Sequence, residues 1–280
     1  MPDGSGVLVQ SSEARRQEDT NSGLIPRVIS ALVMTPVAVA AVWFGSPYFE
    51  FLVFLFSVGM MWEWTRMCVP GHVNSVSIVA AAALAVAMLL LTSGEYPLVM
   101  LSIFVSAATA SLRPGKDRFL AAFGIVYISL AALAAQWLRS MYGDGLLVIM
   151  WLFFLVWATD TGAYAFGKAI GGPKLAPRFS PKKTWAGLIG GMLCAMVIGG
   201  LITYFSSNQI PVSIVLASAV LAIVAQVGDL GESALKRHFK VKDSSHLIPG
   251  HGGLLDRADG MLSVFPVAFV IVYFLGLSLR

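Results

Sequence analysis

The stretch GLLVIMWLFFLVWATDTGAYAFGK, residues 145–168, poses the question of the fold in miniature. It is apolar on every side of a helix as far as Trp157, then meets Asp160, Gly162, Tyr164 and Lys168. A helix with an apolar circumference is surrounded by hydrocarbon or buried in a large core. The rest of the chain decides between the two. Hydrophobic residues make up 57% of the 280, charged residues only 12%, and the mean hydropathy is +0.79. Apolar runs recur at roughly 26–44, 48–66, 74–92, 96–112, 119–138, 145–166, 186–205, 210–228 and 261–279. Each is near the ~20 residues needed to span a bilayer. The expected fold is therefore all-α: a polytopic membrane protein with about nine transmembrane helices, an eight-span count being the alternative.

Charge placement favours nine. If the loops alternate with the N-terminus inside, 17 of the 19 Lys and Arg fall inside, and only Arg139 and Arg280 fall outside. This is a positive-inside pattern with a cytoplasmic N-terminus and a C-terminus outside. Dropping one span would place adjacent basic loops on opposite sides. Residues 1–23 are polar, with no apolar block, and read as a disordered cytoplasmic tail rather than a signal peptide. Residues 24–280 read as one membrane domain. Cys68 and Cys194 lie in or beside apolar segments and form no disulfide framework or metal spacing.

Two inside loops, 167–185 and 229–260, are long and polar. With the segments that enter them, near 157–187 and 228–260, they hold the candidate chemistry. In 228–260, Asp229, Glu232, Ser233 and Lys236 share one face of a helix continuing from the preceding span. Arg237, Lys240 and Lys242 add cations. Pro249 and Gly250 break the helix, and Gly252 and Gly253 permit close approach of backbone N–H groups to an anion. His251 either contacts phosphate or fixes the loop. Asp256 and Asp259, three apart, share a face if a helix begins near them. Carboxylates beside a basic, Gly-rich loop suit Mg²⁺ and phosphate together, because Mg²⁺ takes one or two carboxylates and completes its shell with phosphate oxygens. Asp229 and Asp256 are the first choices for metal, and Lys236, Arg237 and Arg257 for phosphate charge.

In WATDTGAYAFGK, 157–168, Asp160 interrupts an apolar span, which is costly without a task or a partner. In APRFSPKKTWAG, 176–187, Ser180 and Pro181 are expected to cap and open the next helix, placing Lys182, Lys183 and Thr184 in its first turn as a phosphate site. Glu63, between Trp62 and Trp64, is expected to be structural, paired with Arg66. Gln136 and Gln226 are expected to bond between helices.

These motifs resemble the CDP-diacylglycerol synthases, or phosphatidate cytidylyltransferases. The pattern Ser, Lys-Arg, Lys-Asp, His-Gly-Gly, Asp-Arg, Asp is filled by Ser233, Lys236-Arg237, Lys242-Asp243, His251-Gly252-Gly253, Asp256-Arg257 and Asp259. The upstream DTGAYAFGK and SPKKTWAG, and the early Trp-Glu-Trp, also resemble that family, so the likeness runs from about residue 60 to 265. Two positions depart from it. Ala186 stands where the family usually has Glu, and Ala258 where it usually has a larger apolar residue.

The resemblance implies transfer of CMP from CTP to phosphatidate, giving CDP-diacylglycerol and pyrophosphate, with Mg²⁺ and a possible second monovalent cation such as K⁺. It implies Asp160, Lys182, Lys183, Lys236, Arg237, Arg257 and Asp259 as catalytic residues. Ser180, Thr184, Lys242, His251, Gly252 and Gly253 would bind phosphate. It also implies a homodimer in the inner membrane of a bacterium with the site facing the cytoplasm; no nucleic-acid partner is expected. A CTP-dependent polyprenol kinase has a partly overlapping signature and is the alternative. A transporter is disfavoured because its carboxylates should lie near span centres, whereas here the charges gather at one face.

Overall fold

The computed structural model describes residues 32, 34–245, 247–248 and 252–279. Within them are nine α-helices: α1 (Met34–Phe44), α2 (Tyr48–Cys68), α3 (Val73–Thr92), α4 (Tyr96–Ser111), α5 (Arg118–Ser140), α6 (Gly145–Ala169), α7 (Trp185–Ser207), α8 (Val212–His238) and α9 (Leu255–Leu275). Six of them, α3 and α5 to α9, are long and apolar enough to cross a membrane. α1 and α4 are shorter apolar helices, and α2, with 21 residues, carries Glu50, Glu63 and Arg66.

The runs read from the sequence correspond to these helices, with two differences. As expected, α8 continues to His238, carrying the Asp229–Lys236 face onward as one helix. The first difference is that α9 begins at Leu255, six residues before the apolar run, so Asp256 and Asp259 lie in its opening turns. The second is a small antiparallel hairpin, β1 (Lys174–Ala176) with β2 (Ser180–Thr184), in which Lys174 pairs with Thr184 and Ala176 with Ser180. Ser180-Pro181 therefore does not open α7. Thr184 is the cap, accepting a hydrogen bond from Gly187 N at 3.1 Å, and Lys182 and Lys183 are held on an extended strand.

Two buried clusters share α5 and α9 as walls. One joins α2, α3, α4, α5 and the start of α9 around Met61, Leu84 and Ile125. The other joins α5, α6, α8 and α9 around Trp151, Leu152 and Leu221. Two glutamines inside this packing bond between helices, as expected: Gln136 to Met88 O at 3.0 Å and Gln226 to Leu188 O at 3.3 Å. Trp151 Nε1 donates to Ser218 Oγ at 3.0 Å. Arg139 donates to the carbonyls of Val42 (2.9 Å) and Trp43 (3.4 Å), satisfying the end of α1. Cys68 and Cys194 are free thiols.

α7 contributes little bulk to either cluster and packs on α6 through small residues. A Cβ on Gly191 would lie 2.7 Å from Thr159 O and 2.9 Å from Gln226 Nε2. Only a hydrogen there lets the backbones meet this closely. Gly191→Ala is expected to lower stability by about 1–3 kcal/mol, read as a fall in Tm in detergent. Gly231→Ala is the control: a Cβ there meets nothing within 4 Å, and an alanine in a helix should be neutral or stabilising. Equal Tm changes for the two would refute this packing account.

Candidate active site

The carboxyl ends of α2, α6 and α8 and the amino ends of α7 and α9 meet at one end of the bundle. At their centre is Glu63 of α2, which is fully buried. Its carboxylate accepts from Leu254 N at 2.9 Å, Leu255 N at 2.8 Å and Ser245 Oγ. Ser244 Oγ lies 3.0 Å from Glu63 Oε2 and equally 3.0 Å from Asp256 Oδ2, so its one proton serves the two carboxylates between them. Glu63 thus supplies a negative charge and acceptors to the first N–H groups of α9, which have no intrahelical partner. Arg66, its expected partner, instead lies over the Trp62 ring, 5.3 Å from the centroid.

Asp256 is the second anchor of the same loop. Oδ2 accepts from Ser244 N and Gly253 N, each at 2.9 Å, and Oδ1 from Lys236 Nζ at 2.8 Å. Lys236 also donates to Glu232 at 3.1 Å along α8. Gly253 has no room for a side chain: a Cβ would stand 1.9 Å from Ser244 Oγ and 2.6 Å from Glu63 Oε1. Gly252 adopts φ +89° and exchanges backbone hydrogen bonds with Ile248. The expectation was that the N–H groups of Gly252 and Gly253 approach a phosphate; here they donate to Ile248 O and Asp256. The anion they approach is the protein's own. Thr184 is likewise buried and engaged in capping α7. His251 lies outside the described residues.

Across from this anchor, Lys183 of β2 forms an ion pair with Asp229 of α8, and Ser233 Oγ lies 3.4 Å from Asp229 Oδ1. Asp160 of α6 is electrostatically coupled to Asp229 and Lys183. Asp259 of α9 is coupled to Asp229, Asp160 and Lys236, and Glu232 to Asp259, Lys236 and Asp256. The structure thus brings Asp160, Lys183, Asp229, Lys236, Asp256 and Asp259 together and adds Glu232. Lys182, Arg237, Lys242 and Arg257 are exposed around it, and Ser180 is half-buried in β2.

The charge balance bears on metal. Five carboxyl groups stand with two ammonium groups at the centre, ringed by the exposed Lys182, Arg237, Lys242 and Arg257. Among the described residues, no three His, Cys, Asp or Glu side chains converge enough to enclose an ion by themselves. Such a set suits a hard cation that takes one or two carboxylates and leaves its other positions to phosphate oxygens. Asp229, one-third exposed, and Oδ1 of Asp256, whose one partner among the described residues is Lys236, retain lone pairs for it.

Glu63 is structural, as the sequence suggested, but its partners are the loop before α9 and not Arg66. Glu63→Gln keeps the shape but puts an NH₂ donor among donors, two of which are fixed backbone N–H groups. A stability loss of about 2–3 kcal/mol is expected, with protease nicking of 239–253 rising in step. Unchanged Tm and unchanged nicking would remove Glu63 from its place as the loop's anchor.

Comparison with known proteins identifies the family. A phosphatidate cytidylyltransferase of Brucella suis is 35% identical over 257 residues, covering 91% of this chain and 94% of that protein. Another from Staphylococcus haemolyticus is 31% identical over 257 residues, covering 88% and 98%. One from Staphylococcus aureus is 40% identical over 161 residues, covering 56% and 62%. Residues 25–275 match the cytidylyltransferase family, and it is to this family that the chain belongs.

Proposed function

We infer that the chain is an enzyme that transfers the cytidylyl group of CTP to phosphatidate, forming CDP-diacylglycerol and pyrophosphate for phospholipid synthesis. One observation carries this reading. Lysines and carboxylates from α6, β2, α8 and α9 converge at one end of an apolar helical bundle, where a lipid phosphate and a soluble nucleotide can meet.

The chemistry needs little from a base. The nucleophile is a phosphate oxygen of phosphatidate, and the second pKa of a phosphate monoester is about 6, so it is largely dianionic near neutrality. The difficulty is bringing two polyanions into line, with the oxygen attacking the α-phosphorus and pyrophosphate leaving. Lys183 and Lys236, held by Asp229 and Asp256, offer fixed positive charge at the centre. Lys182, Arg237, Lys242 and Arg257 gather phosphates from the rim, with Ser180 as a further donor. We propose that Asp229 and Asp256 hold Mg²⁺, which when bound neutralises phosphate charge and polarises the P–O bonds. Asp160 and Asp259 complete the acidic wall, where a monovalent cation such as K⁺ would also be accommodated.

The wider arrangement follows the same reading. The nine helices lie in the inner membrane of a bacterium as one domain over 24–280, with the N-terminus and the active site cytoplasmic and the C-terminus outside. The support is that the Lys and Arg of the polar segments gather at the end carrying the site. Two copies form a homodimer, and residues 1–23 form a polar tail.

The test uses purified protein in phosphatidate–detergent micelles with Mg²⁺ and CTP labelled at the α- or γ-phosphate. The expected result is α-label in the lipid fraction with release of pyrophosphate. Asp229→Asn should lower kcat by about 10²-fold or more, and chelation of Mg²⁺ should abolish turnover. Transfer of the γ-label to a lipid alcohol would replace this reading with a kinase.

A further inference from the structure

We propose that an acyl chain of phosphatidate lies in a cavity running from Arg257 into the bundle, and that the small side chain of Ala258 sets how much chain the cavity accepts. This rests on the reaction inferred above and concerns the lipid half of the same site.

Two adjoining hollows, of about 450 and 180 Å³, are enclosed by α1, α2, α5, α6 and α9. They share Ala38, Val42, Phe56, Phe153 and Arg257. Among the described residues Arg257 is the only charged one on either lining, and the others are almost wholly apolar. At the rim of the larger one, Val39, Phe154 and Trp157 are 40–48% exposed on helices that otherwise face apolar surroundings. A membrane lipid can therefore reach it sideways. The smaller hollow follows α2 from Met60 to Phe49. At ~1.5 Å rise per residue those eleven steps span roughly 16 Å, close to half of the ~30 Å hydrocarbon thickness. It has the depth of one leaflet.

The position of Arg257 ties the cavity to the chemistry. It follows Asp256 in the first turn of α9, and successive helical residues point about 100° apart. Asp256 and Asp259 face α8 and its lysine, while Arg257 faces the cavity. A phosphate on the Arg257 guanidinium is thus within a helical turn of the carboxylate cluster, with its chains directed into apolar space. An anionic headgroup on an apolar tail matches one cation at the mouth of an apolar tube; a nucleotide, polar throughout, does not.

Ala258 lines the inner hollow beside Met261 and Leu262. It is also the position at which the resemblance led one to expect a larger apolar residue. The small side chain leaves volume that the expected one would fill.

The experiment compares phosphatidates with short and long acyl chains, measuring kcat/KM for each lipid and KM for CTP in the same preparation. Ala258→Leu should reduce kcat/KM for the long-chain lipid about tenfold relative to the short, since overfilling a packed apolar site costs of that order. Met261→Ala, which enlarges the same hollow, should shift the ratio the opposite way or leave the long chain favoured. Taking the ratio within one preparation cancels any loss of folded enzyme. The proposal is overturned if Ala258→Leu leaves the long-to-short ratio at the wild-type value, or if KM for CTP moves in the same proportion as the lipid's. Absence of CDP-lipid formation by wild type with every phosphatidate would instead overturn the reaction itself.

Discussion

A buried carboxylate without donors is among the most costly groups a protein can contain, and Glu63 is buried completely. Its donors come from a segment some 180 to 190 residues further along the chain. Satisfying Glu63 therefore dictates where the loop before α9 must lie and where that helix begins. Once Leu254 and Leu255 are fixed, so is the first turn of α9, and with it Asp256, Arg257 and Asp259. Asp256 then closes a second set of bonds with Ser244, Gly253 and Lys236. The reactive end of the molecule is assembled outward from one glutamate that need not touch a substrate.

The helices were legible because apolar length is a strong, local signal. The start of α9 was less so, because the apolar run begins only after Asp256 and Asp259 while hydrogen bonding already holds them in the helix. The hairpin at 174–184 was missed for a related reason: its strands have three and five residues, and Ser-Pro before a polar triplet reads equally well as a helix start. Backbone pairing with Lys174, not propensity, decided it.

The candidate site was legible in its membership but not in its internal wiring. Asp160, Asp229, Lys236, Asp256 and Asp259 stood out as charges at the feet of apolar runs, and they do come together. The uses of Gly252 and Gly253 were not readable, because an N–H that can approach a phosphate can equally approach Asp256. Glu63 was expected to be structural, but paired with Arg66. Nothing near it in sequence discloses partners so distant, and its one local candidate, Arg66, turned to a tryptophan face instead.

The close keying of α6 onto α7 has a mechanical consequence. With Gly191 against Thr159 O and Gly187 against Ala163 O, neither helix can slide or rotate without collision. Asp160 on one and the Lys183 strand leading into the other consequently behave as a single rigid body. Whatever moves during turnover, Asp160 and Lys183 move as one.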